Sequence, residues 1–545
     1  MAVSLTDQQA YRRLVAAGND LLFYEDIDVA AGTMTQLAAS DGDIDTSDQL
    51  NIFEAYGKVF VVNGSNLKVA DFINVKITTT DIKPAGKVYP LHGDILTGGT
   101  STAKMVVDYI NASDSTCTVY GRSITVATFS SGETVTGTND GGDVEFTTNS
   151  AEANGPHWYD WTVYANDTTV FGTMPNKAYV GCLYHGRCFI SSNPEEPQNW
   201  YATRLADPWD FAYASNDTGT PVYGSNVKGP GEIGDVVRAV IPIDKDQLTF
   251  GCANSIEYMQ GDPAKGGEIM NMTNSTGMFG ANSWCRDNKG IFYFWGTTGG
   301  IWAMTVPGIP ECISLERLPK LLKDEAADPS THRITMGFDA TRFGIIICIT
   351  LLADGTNSNY WFDLRTKGFF PETYPEECGP YSIYQYAAND TAYTDLLVGC
   401  KDGYIRKFDD DKSSDDIGAT DEAIDSYAVI GPFPLSGGSM RDGMMGPFEL
   451  ISAGGESGGG ETDPDNVTYY AYANRSAAAV IEDVAGTTAA KFTGTIVAPG
   501  YRKGQRQRKR ARGRYGALRF GNLTAGETWS METADITVQY AGKVM

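Results

Sequence analysis

The chain has 545 residues, of which 42% are hydrophobic and 20% are charged. This balance excludes an intrinsically disordered protein, and the length predicts two or three folded units. The formal net charge of −26 excludes a general nucleic-acid binder, because attraction to phosphate requires a positive surface.

The composition predicts a mainly β protein, since Gly is frequent and Tyr, Phe, Val, Ile and Thr recur in short runs between turn residues. The best helix candidate is residues 6–18, where Thr6 and Gln9 form a capping box and Gly18 follows the apolar face. A second helix candidate, residues 315–327, contains Pro319, which would kink or split it.

A hairpin unit recurs along the chain: an apolar strand, a turn, and a second strand that carries aromatic residues. Such units begin at residues 57, 186, 246, 290, 343 and 395. Repeats of this length are typical of β-propeller blades, because neighbouring blades bury the faces that one blade leaves exposed. We therefore expect a β-propeller of about six blades, or seven if a degenerate unit is present, with an irregular array of β-sandwiches as the alternative.

The spacing of these units predicts the domain organisation. The first interval is 129 residues, whereas the later ones run from 44 to 60 residues. The excess is explained by residues 85–150, which have their own strand alternation and Gly- and Thr-rich turns and are predicted to form an inserted small β-barrel or sandwich domain. The predicted domains are 1–84 (N-terminal helix and first blade), 85–150 (insertion), 151–426 (remaining blades) and 427–545 (C-terminal β region that closes or flanks the propeller).

No sequence pattern predicts catalysis or a bound cofactor. Ser457 lies in a G-x-S-x-G match to a nucleophile elbow, but its surroundings are Gly-rich and no His follows His332. The segment GDPAKGG at 261–267 lacks the Lys-Ser/Thr ending of a phosphate loop and is interpreted as a turn. The protein is therefore predicted not to be an enzyme.

Metal sites, disulfides and membrane insertion are also not predicted. The beginning of an EF-hand calcium loop is imitated by Asp41, Asp43 and Asp45. An EF-hand would also need Gly and Glu at the positions that Thr46 and Ile52 occupy. The only calcium site that stays open as an alternative is therefore one of another kind. The nine Cys are interpreted as buried thiols in a reducing compartment. The start of the chain lacks the apolar core of a signal peptide, which predicts synthesis in a cytoplasm.

The most unusual segment is 502–514, RKGQRQRKRARGR, with eight Lys or Arg in thirteen positions. Its arginines from 506 to 514 occupy every second position, so on a β-strand they would share one face, roughly 6–7 Å apart. Gly504, Gly513 and Gly516 disfavour a helix here. The predicted basic ladder consists of Arg502, Lys503, Arg506, Arg508, Lys509, Arg510, Arg512 and Arg514.

Adjacent guanidinium groups repel one another, so the ladder requires anions. Three sources stay open: carboxylates of the same chain or of an identical neighbour, phosphates of DNA, and a nuclear-import or heparin receptor. The ladder is accordingly predicted to be a subunit interface or a DNA contact. Replacing Arg506, Arg508, Arg510 and Arg512 by Ala is expected to impair assembly more than DNA affinity.

Several stretches resemble the tail nozzle proteins of short-tailed bacteriophages, a β-propeller family that includes packaged-DNA stabilisation proteins. SSNPEEPQNWYATRLADPWDF at 191–211 is similar to the turn between blades in this family. DQLTFGCANSIEYMQGDPA at 246–264 and the segment that follows it are similar to the next two blades. Residues 512–544 are similar to the closing β region of such virion proteins.

The resemblance implies a structural virion protein of the tail, made in the cytoplasm of a host bacterium. It implies a homo-oligomeric ring of about six copies that lies below the portal and adaptor, extends the DNA-ejection channel and helps to retain packaged DNA. Contact with the genome would be transient and non-specific, with no cofactor and no membrane insertion. The alternatives are a receptor- or glycan-binding tail protein, whose Tyr and Trp would stack on sugars, and a glycan-degrading propeller enzyme.

Overall fold

A computed structural model describes residues 2–6, 10–27, 29–37, 44–45, 49–112, 116–214, 217–224, 233–318, 325–409, 412–418, 421–436, 441–452, 466–486, 490–496, 503–507, 509–529 and 531–544. The chain is mainly β and divides into two compact units. The first comprises Met1–Pro371 and Pro380–Lys407, and the second comprises Glu372–Gly379 and Phe408–Met545. The acidic stretch 409–426, predicted to end the blades, therefore belongs to the second unit.

The first unit opens with an antiparallel sheet of four strands in sequence order: β1 (Ala2–Thr6), β2 (Ala10–Gly18), β3 (Leu21–Glu25) and β4 (Met34–Gln36). The helix predicted over residues 6–18 is therefore wrong for Thr6 and for residues 10–18, which are strands, and residues 7–9 lie outside the described residues. Asn19 and Asp20, with φ of 52° and 60°, form the two-residue loop between β2 and β3, and two left-handed residues are typical of a type I′ hairpin turn. Pairing of β2 with β1 and β3 outweighs the weak helical preference of its residues.

An inserted sheet interrupts the second sheet of this unit. Three strands come first, β5 (Asn51–Ala55), β6 (Lys58–Val62) and β7 (Leu67–Asp71). The insertion follows, with β8 (Val75–Thr79), β9 (Ile95–Gly98), β10 (Lys104–Ala112), β11 (Cys117–Ser123), β12 (Thr134–Asn139) and β13 (Gly142–Thr147). The chain then returns as β14 (His157–Asp160), which pairs with β7 and completes the order β14-β7-β6-β5.

The inserted strands form one six-stranded sheet in the order β13-β12-β9-β10-β11-β8. Residues that follow β13 return to the opposite edge, where the Asn149 N–H donates to the Thr78 carbonyl at 2.7 Å. Leu96, Met105 and Phe146 are among the side chains that fill its interior. The insertion thus begins at β8, earlier than the predicted residue 85, because β8 pairs with β11 rather than with the host sheet.

Five more small antiparallel sheets complete the first unit, after the short helix α1 (Thr168–Phe171). Their strands are β15 (Val180–Tyr184), β16 (Arg187–Asn193), β17 (Glu196–Ala202) and β18 (Val222–Gly224); β19 (Val237–Pro242), β20 (Gln247–Cys252), β21 (Ile256–Gln260) and β22 (Glu268–Thr273); β23 (Trp284–Arg286), β24 (Phe292–Trp295), β25 (Ile301–Met304) and β26 (Glu311–Cys312); β27 (His332–Asp339), β28 (Gly344–Leu351), β29 (Asn357–Asp363) and β30 (Phe369–Glu372); β31 (Pro380–Tyr386), β32 (Asp395–Cys400) and β33 (Ile405–Lys407).

Single turns of 3₁₀ helix span Tyr164–Asn166, Pro263–Lys265 and Thr391–Tyr393. Of the second predicted helix, residues 315–317 lie in a turn, and residues 319–324, with Pro319, are outside the described residues.

Counted over the described residues, the first unit thus holds seven small sheets in series besides the inserted one, a propeller-like arrangement. Consecutive sheets share buried cores. Val15 of β2 and Val59 of β6 belong to one buried cluster, and the Phe250 ring of β20 lies 6.3 Å from the Trp200 ring of β17. The last sheet also contacts the first: the Arg12 N–H donates to Asn389 Oδ1 at 2.9 Å, across 377 residues of sequence.

The second unit packs two sheets around one core. Its strands and helix are β34 (Ser414–Asp415), β35 (Glu422–Ala423), β36 (Ser426–Pro434), β37 (Arg441–Ser452), β38 (Val467–Asn474), α2 (Ala477–Ala485), β39 (Phe492–Ile496), β40 (Lys503–Gln507), β41 (Ala511–Gly513), β42 (Tyr515–Asn522) and β43 (Met531–Val544). One sheet has the order β36-β42-β38-β39, and in the other β37 lies between β43 and the pair β40 and β41. Met445, Phe448, Leu518 and Phe520 belong to the core between them.

Candidate functional site

The predicted basic ladder lies at one edge of a sheet in the second unit. β40 and β41 both pair with β37, so that Arg506 is the register partner of Glu449 and Arg512 that of Met444. The described ladder residues therefore lie on or beside two short strands, β40 and β41, rather than on one continuous ribbon.

The structure describes the ladder residues to different extents. Arg502 and Arg508 lie outside the described residues, and for Lys503 and Arg506 only the backbone is described. The remaining members are described with their side chains: Lys509, Arg510, Arg512 and Arg514.

The described arginines project from the sheet as their spacing predicts. Along residues 510–513, the exposed Arg510 and Arg512 alternate with the buried Ala511 and Gly513. This alternation is that of a strand with one solvated face. A surface with regularly spaced guanidinium groups is therefore present at residues 510–512.

A carboxylate of the same unit neutralises part of this charge. Arg512 Nη2 lies 3.2 Å from Asp442 Oδ2, and Arg514 Nε lies 4.0 Å from Asp442 Oδ1. The Asp442 side chain is only 13% exposed, so the two ion pairs are less screened than pairs on the open surface. Of the three predicted anion sources, a carboxylate of the same chain serves Arg512 and Arg514.

Lys509 and Arg510 differ from this pair. Lys509 Nζ donates to the Thr493 carbonyl at 2.7 Å and lies 5.9 Å from the centre of the Phe492 ring, both on β39. Arg510 is exposed, and within the described part of the chain it forms no ion pair. The charge of these two residues is available to an external anion.

Sequence reasoning missed Arg519, which lies outside the dense basic segment. Its guanidinium donates to both carboxylate oxygens of Asp425, at 3.3 and 3.2 Å, and lies 4.2 Å from the Tyr427 ring centre and 5.9 Å from that of Tyr470. The only local signal was its position in an apolar run, YGALRF, where a charged residue requires partners.

A second polar cluster, buried in the first unit, joins the insertion to its host sheet. Lys58 Nζ on β6 lies 2.6 Å from Asp108 Oδ2 on β10, and the Lys58 side chain is 2% exposed. The Asn74 amide donates to Asp108 at 2.5 Å and to Asp71 at 2.7 Å. The Tyr159 hydroxyl donates to Asp71 at 3.0 Å. Such a connected network fixes the relative position of the two sheets because each buried group has a partner.

The charges in this cluster stabilise one another. Burial alone would lower the pKa of Lys58, but the Asp108 and Asp71 carboxylates outweigh it and raise that pKa above its usual value. Burial alone would raise the pKa of Asp108, but the Lys58 ammonium lowers it. Lys58 and Asp108 are therefore both charged in the folded state, as a structural ion pair requires.

One pocket of about 350 Å³ lies in the first unit. Its wall includes an ion pair, Lys68 Nζ to Asp160 Oδ1 at 2.5 Å, and the amide-bearing side chains of Asn66 and Asn176. Trp161 also lines it but is 2% exposed, so this ring presents no face on which a sugar could stack. Apolar residues such as Leu67 and Met174 line the rest of the pocket, so its polar groups offer hydrogen bonds within a largely apolar wall.

The structure assigns no catalytic or metal-binding role to the remaining sequence candidates. Ser457, Asp41 and Asp43 lie outside the described residues. The 261–267 segment is a turn in which the Asp262 carboxylate accepts from the Ala264 N–H at 2.9 Å, as its sequence predicts. Asp45 is described, and its N–H donates to Asn66 Oδ1 at 3.0 Å.

All nine cysteines carry free thiols, and eight of them are buried, which confirms their interpretation as small buried side chains. Among the described residues, no group of three or more His, Cys, Asp or Glu side chains is arranged to hold a metal ion. Every helix in that part of the chain is too short or too polar to cross a bilayer.

No family model and no curated protein matches the chain. Solved structures with a remote likeness include the tricorn protease (TM-score 0.28, 9% identity, 73% of this chain and 37% of that chain) and AztD from Citrobacter koseri (0.29, 11%, 75% and 94%). A third is an exo-β-1,3-galactanase from Phanerochaete chrysosporium (0.24, 10%, 85% and 100%). The chain spans about a third of the tricorn protease chain, and at TM-scores this low the likeness carries no argument about fold or activity.

Proposed function

We propose that this protein is a structural component of a bacteriophage tail, a nozzle subunit that assembles into a ring around the channel through which DNA leaves. The ring would lie below the portal and adaptor and help to retain packaged DNA. The observation that carries the proposal is the series of seven small sheets whose last member contacts its first, in a chain that resembles nozzle proteins in sequence.

As part of this proposal, the seven small sheets of the first unit form one closed propeller. The Arg12–Asn389 contact supports closure, and so does the hydrogen bond that Tyr386 of β31 donates to Glu25 of β3. A closed propeller leaves only short strand edges and offers broad flanks, which suits a rigid block that packs beside identical copies.

The charge distribution also supports a conduit for DNA. The formal net charge of −26 would repel phosphate from most of the surface and so keep the genome from adhering to the wall. The exposed basic residues near Arg510 are confined to one segment, where they would act locally, on a neighbouring subunit or on DNA, without making the whole bore adhesive.

Electron microscopy of the purified protein, alone and with its tail partners, tests the proposal. Rings with a central channel are the expected result. A chain that stays monomeric at micromolar concentration with the tail partners present would contradict it. Specific retention on a glycan array without ring formation would instead support the receptor- or glycan-binding alternative, and polysaccharide cleavage abolished by one carboxylate substitution would support the enzyme.

A further inference from the structure

The edge strand β36 of the second unit is exposed on both of its faces. Residues 427–432 are all exposed, with Tyr427, Val429 and Ile430 at 47%, 39% and 42%. Among the described strands, β36 pairs only with β42, so within that part of the chain its other side is an open sheet edge. An apolar edge strand of this kind is a template for pairing with another chain.

The core of the unit continues uncovered onto this strand. Ile430 is the register partner of Leu518, and Ala428 is that of Phe520. Leu518 and Phe520 are 0% and 1% exposed in the core, whereas their partners on the same face of β36 are exposed. The second sheet therefore stops short of β36, and apolar surface that belongs to the core layer faces outward.

Acidic residues adjoin this apolar strand. The hairpin of β34 and β35 precedes it, and Asp421 and Glu422 of that hairpin are exposed. The β36 edge consequently carries apolar side chains along the strand and negative charges next to its N-terminal end. A complementary surface would combine cationic heads with aliphatic stems, which long Lys and Arg side chains provide.

The chain itself carries such a surface, at the opposite edge of the same unit. β36 and β39 are the two outer strands of one sheet. Lys509 bonds to Thr493 of β39, whereas Trp529 Nε1 bonds to Ser426 of β36 at 2.7 Å. Within one copy, Lys509 and Arg510 lie at the β39 edge of the sheet, and β36 forms the other edge. These two residues therefore cannot reach β36 of the same copy.

We propose that β36 and the hairpin before it receive Lys509 and Arg510 of a second copy of this chain, in a head-to-tail contact. The partner is a second copy because Lys509 and Arg510 are adjacent exposed cations that form no ion pair within the described part of the chain, and they lie at the edge opposite β36. Two different surfaces that pair in this way repeat by rotation and generate a closed ring or a filament. The inference rests on the proposed function, since it names the surfaces through which the ring assembles.

Charge reversal on each side tests the contact. A Lys509→Glu/Arg510→Glu variant and an Asp421→Lys/Glu422→Lys variant should each raise the concentration needed for half-assembly by about tenfold or more, measured by sedimentation velocity. An equimolar mixture of the two variants should assemble like the wild type, because each reversed surface then finds an opposite charge on the other variant. Circular dichroism verifies that each variant is folded.

An apolar substitution tests β36 directly. Ile430→Asp should weaken assembly to a similar extent. Mixing the Ile430→Asp protein with either charge variant should not restore assembly. Val126→Asp is the matched control, because Val126 is fully exposed between β11 and β12 of the insertion in the first unit and belongs to neither proposed contact surface. It should leave assembly unchanged.

The outcomes separate this contact from the nozzle function. Rings that form normally from all these variants would overturn the contact and leave the proposed function standing. Oligomers that depend on both surfaces but enclose no channel would support the contact and count against the proposed function. A wild-type chain that stays monomeric, or charge variants that fail to rescue each other, would overturn the contact.

Discussion

His157 is the first residue of the strand that returns from the insertion, and it is 4% exposed. Its ring packs edge-on against Tyr120 of β11 at 5.6 Å. Burial lowers the pKa of His157 to about 4, because the cationic form loses its hydration there. The junction between the host sheet and the insertion thus holds a neutral imidazole.

This burial makes stability depend on pH. The folded pKa lies below the unfolded value, so the unfolded chain binds the proton first, and stability falls as pH decreases from about 6.5 towards about 4. We expect His157 to contribute a loss of about 2 kcal/mol in the unfolding free energy between about pH 7 and about pH 5. His157→Gln should flatten that part of the profile in urea titrations. His332→Gln, at the start of β27, is the control, and an equal flattening by both variants would contradict the assignment.

Lys58 and Asp108 allow a second test at the residue scale. Lys58→Met removes the cation and leaves the Asp108 carboxylate without its ion-pair partner, so we expect a loss of about 3 kcal/mol in unfolding free energy. Asp108→Asn in the Lys58→Met background should cost much less than Asp108→Asn in the wild type. Chemical denaturation of the four proteins gives this double-mutant cycle. Additive effects would show that the two groups do not depend on each other.

At the scale of elements, two-residue turns determine which segments become strands. Asn19 has φ of 52°, a conformation that Asn and Gly adopt readily and β-branched residues do not. The segment before it, AYRRLVAAG, has residues that favour a helix in isolation, yet it pairs as β2. The turn and the pairing partners together decide the structure of this element.

Substitution at the turn tests this account. Asn19→Val should destabilise the β2–β3 hairpin by about 1–2 kcal/mol, because a β-branched side chain is strained at positive φ. Asn19→Gly should be close to neutral. Hydrogen exchange of the β2 and β3 amides measures the local effect. Equal exchange rates in the two variants would contradict the role given to the turn.

The insertion is an element that does not pack alone. The Tyr109 ring of β10 stacks on Trp209 at 4.1 Å, and the Tyr164 hydroxyl donates to the Pro90 carbonyl at 2.7 Å. Both aromatic partners outside the insertion are fully or almost fully buried. The hydrophobic core is therefore continuous between the inserted sheet and the first unit that contains it.

At the scale of the first unit, the contact between its first and last sheets joins residues far apart in sequence. Tyr386 donates to Glu25, which also accepts from the Gly32 N–H at 2.9 Å. A contact that spans nearly the whole unit restricts the opening of every sheet between its ends, because those sheets pack in series.

Loss of this contact should therefore affect the whole unit. Tyr386→Phe is expected to lower the unfolding free energy by about 1–3 kcal/mol, because the buried Glu25 carboxylate loses its hydroxyl donor and keeps the Leu14 and Gly32 N–H donors. Hydrogen exchange should rise together in β3 and β31. Tyr404→Phe is the matched control, since Tyr404 is 67% exposed. Faster exchange in β31 alone would indicate that the ends of the series are not coupled.

The sequence by itself determined the local part of this structure. Apolar runs such as 343–353 and the alternation at 510–513 indicated strands and a solvated arginine face, because strand period and turn chemistry are properties of neighbouring residues. The mainly β class and the existence of an insertion followed from the same signals. The capping pattern at Thr6 misled, because propensity is weak compared with strand pairing.

Only the tertiary structure decided which distant groups meet. It pairs Arg512 with Asp442, Lys58 with Asp108 and Arg12 with Asn389, and it leaves β36 at an open edge. No periodicity encodes these partners, because an ion pair or a sheet edge depends on where the chain returns after many residues. Short-range pattern specifies elements, and their order in space specifies the charge partners and the surfaces left for other molecules.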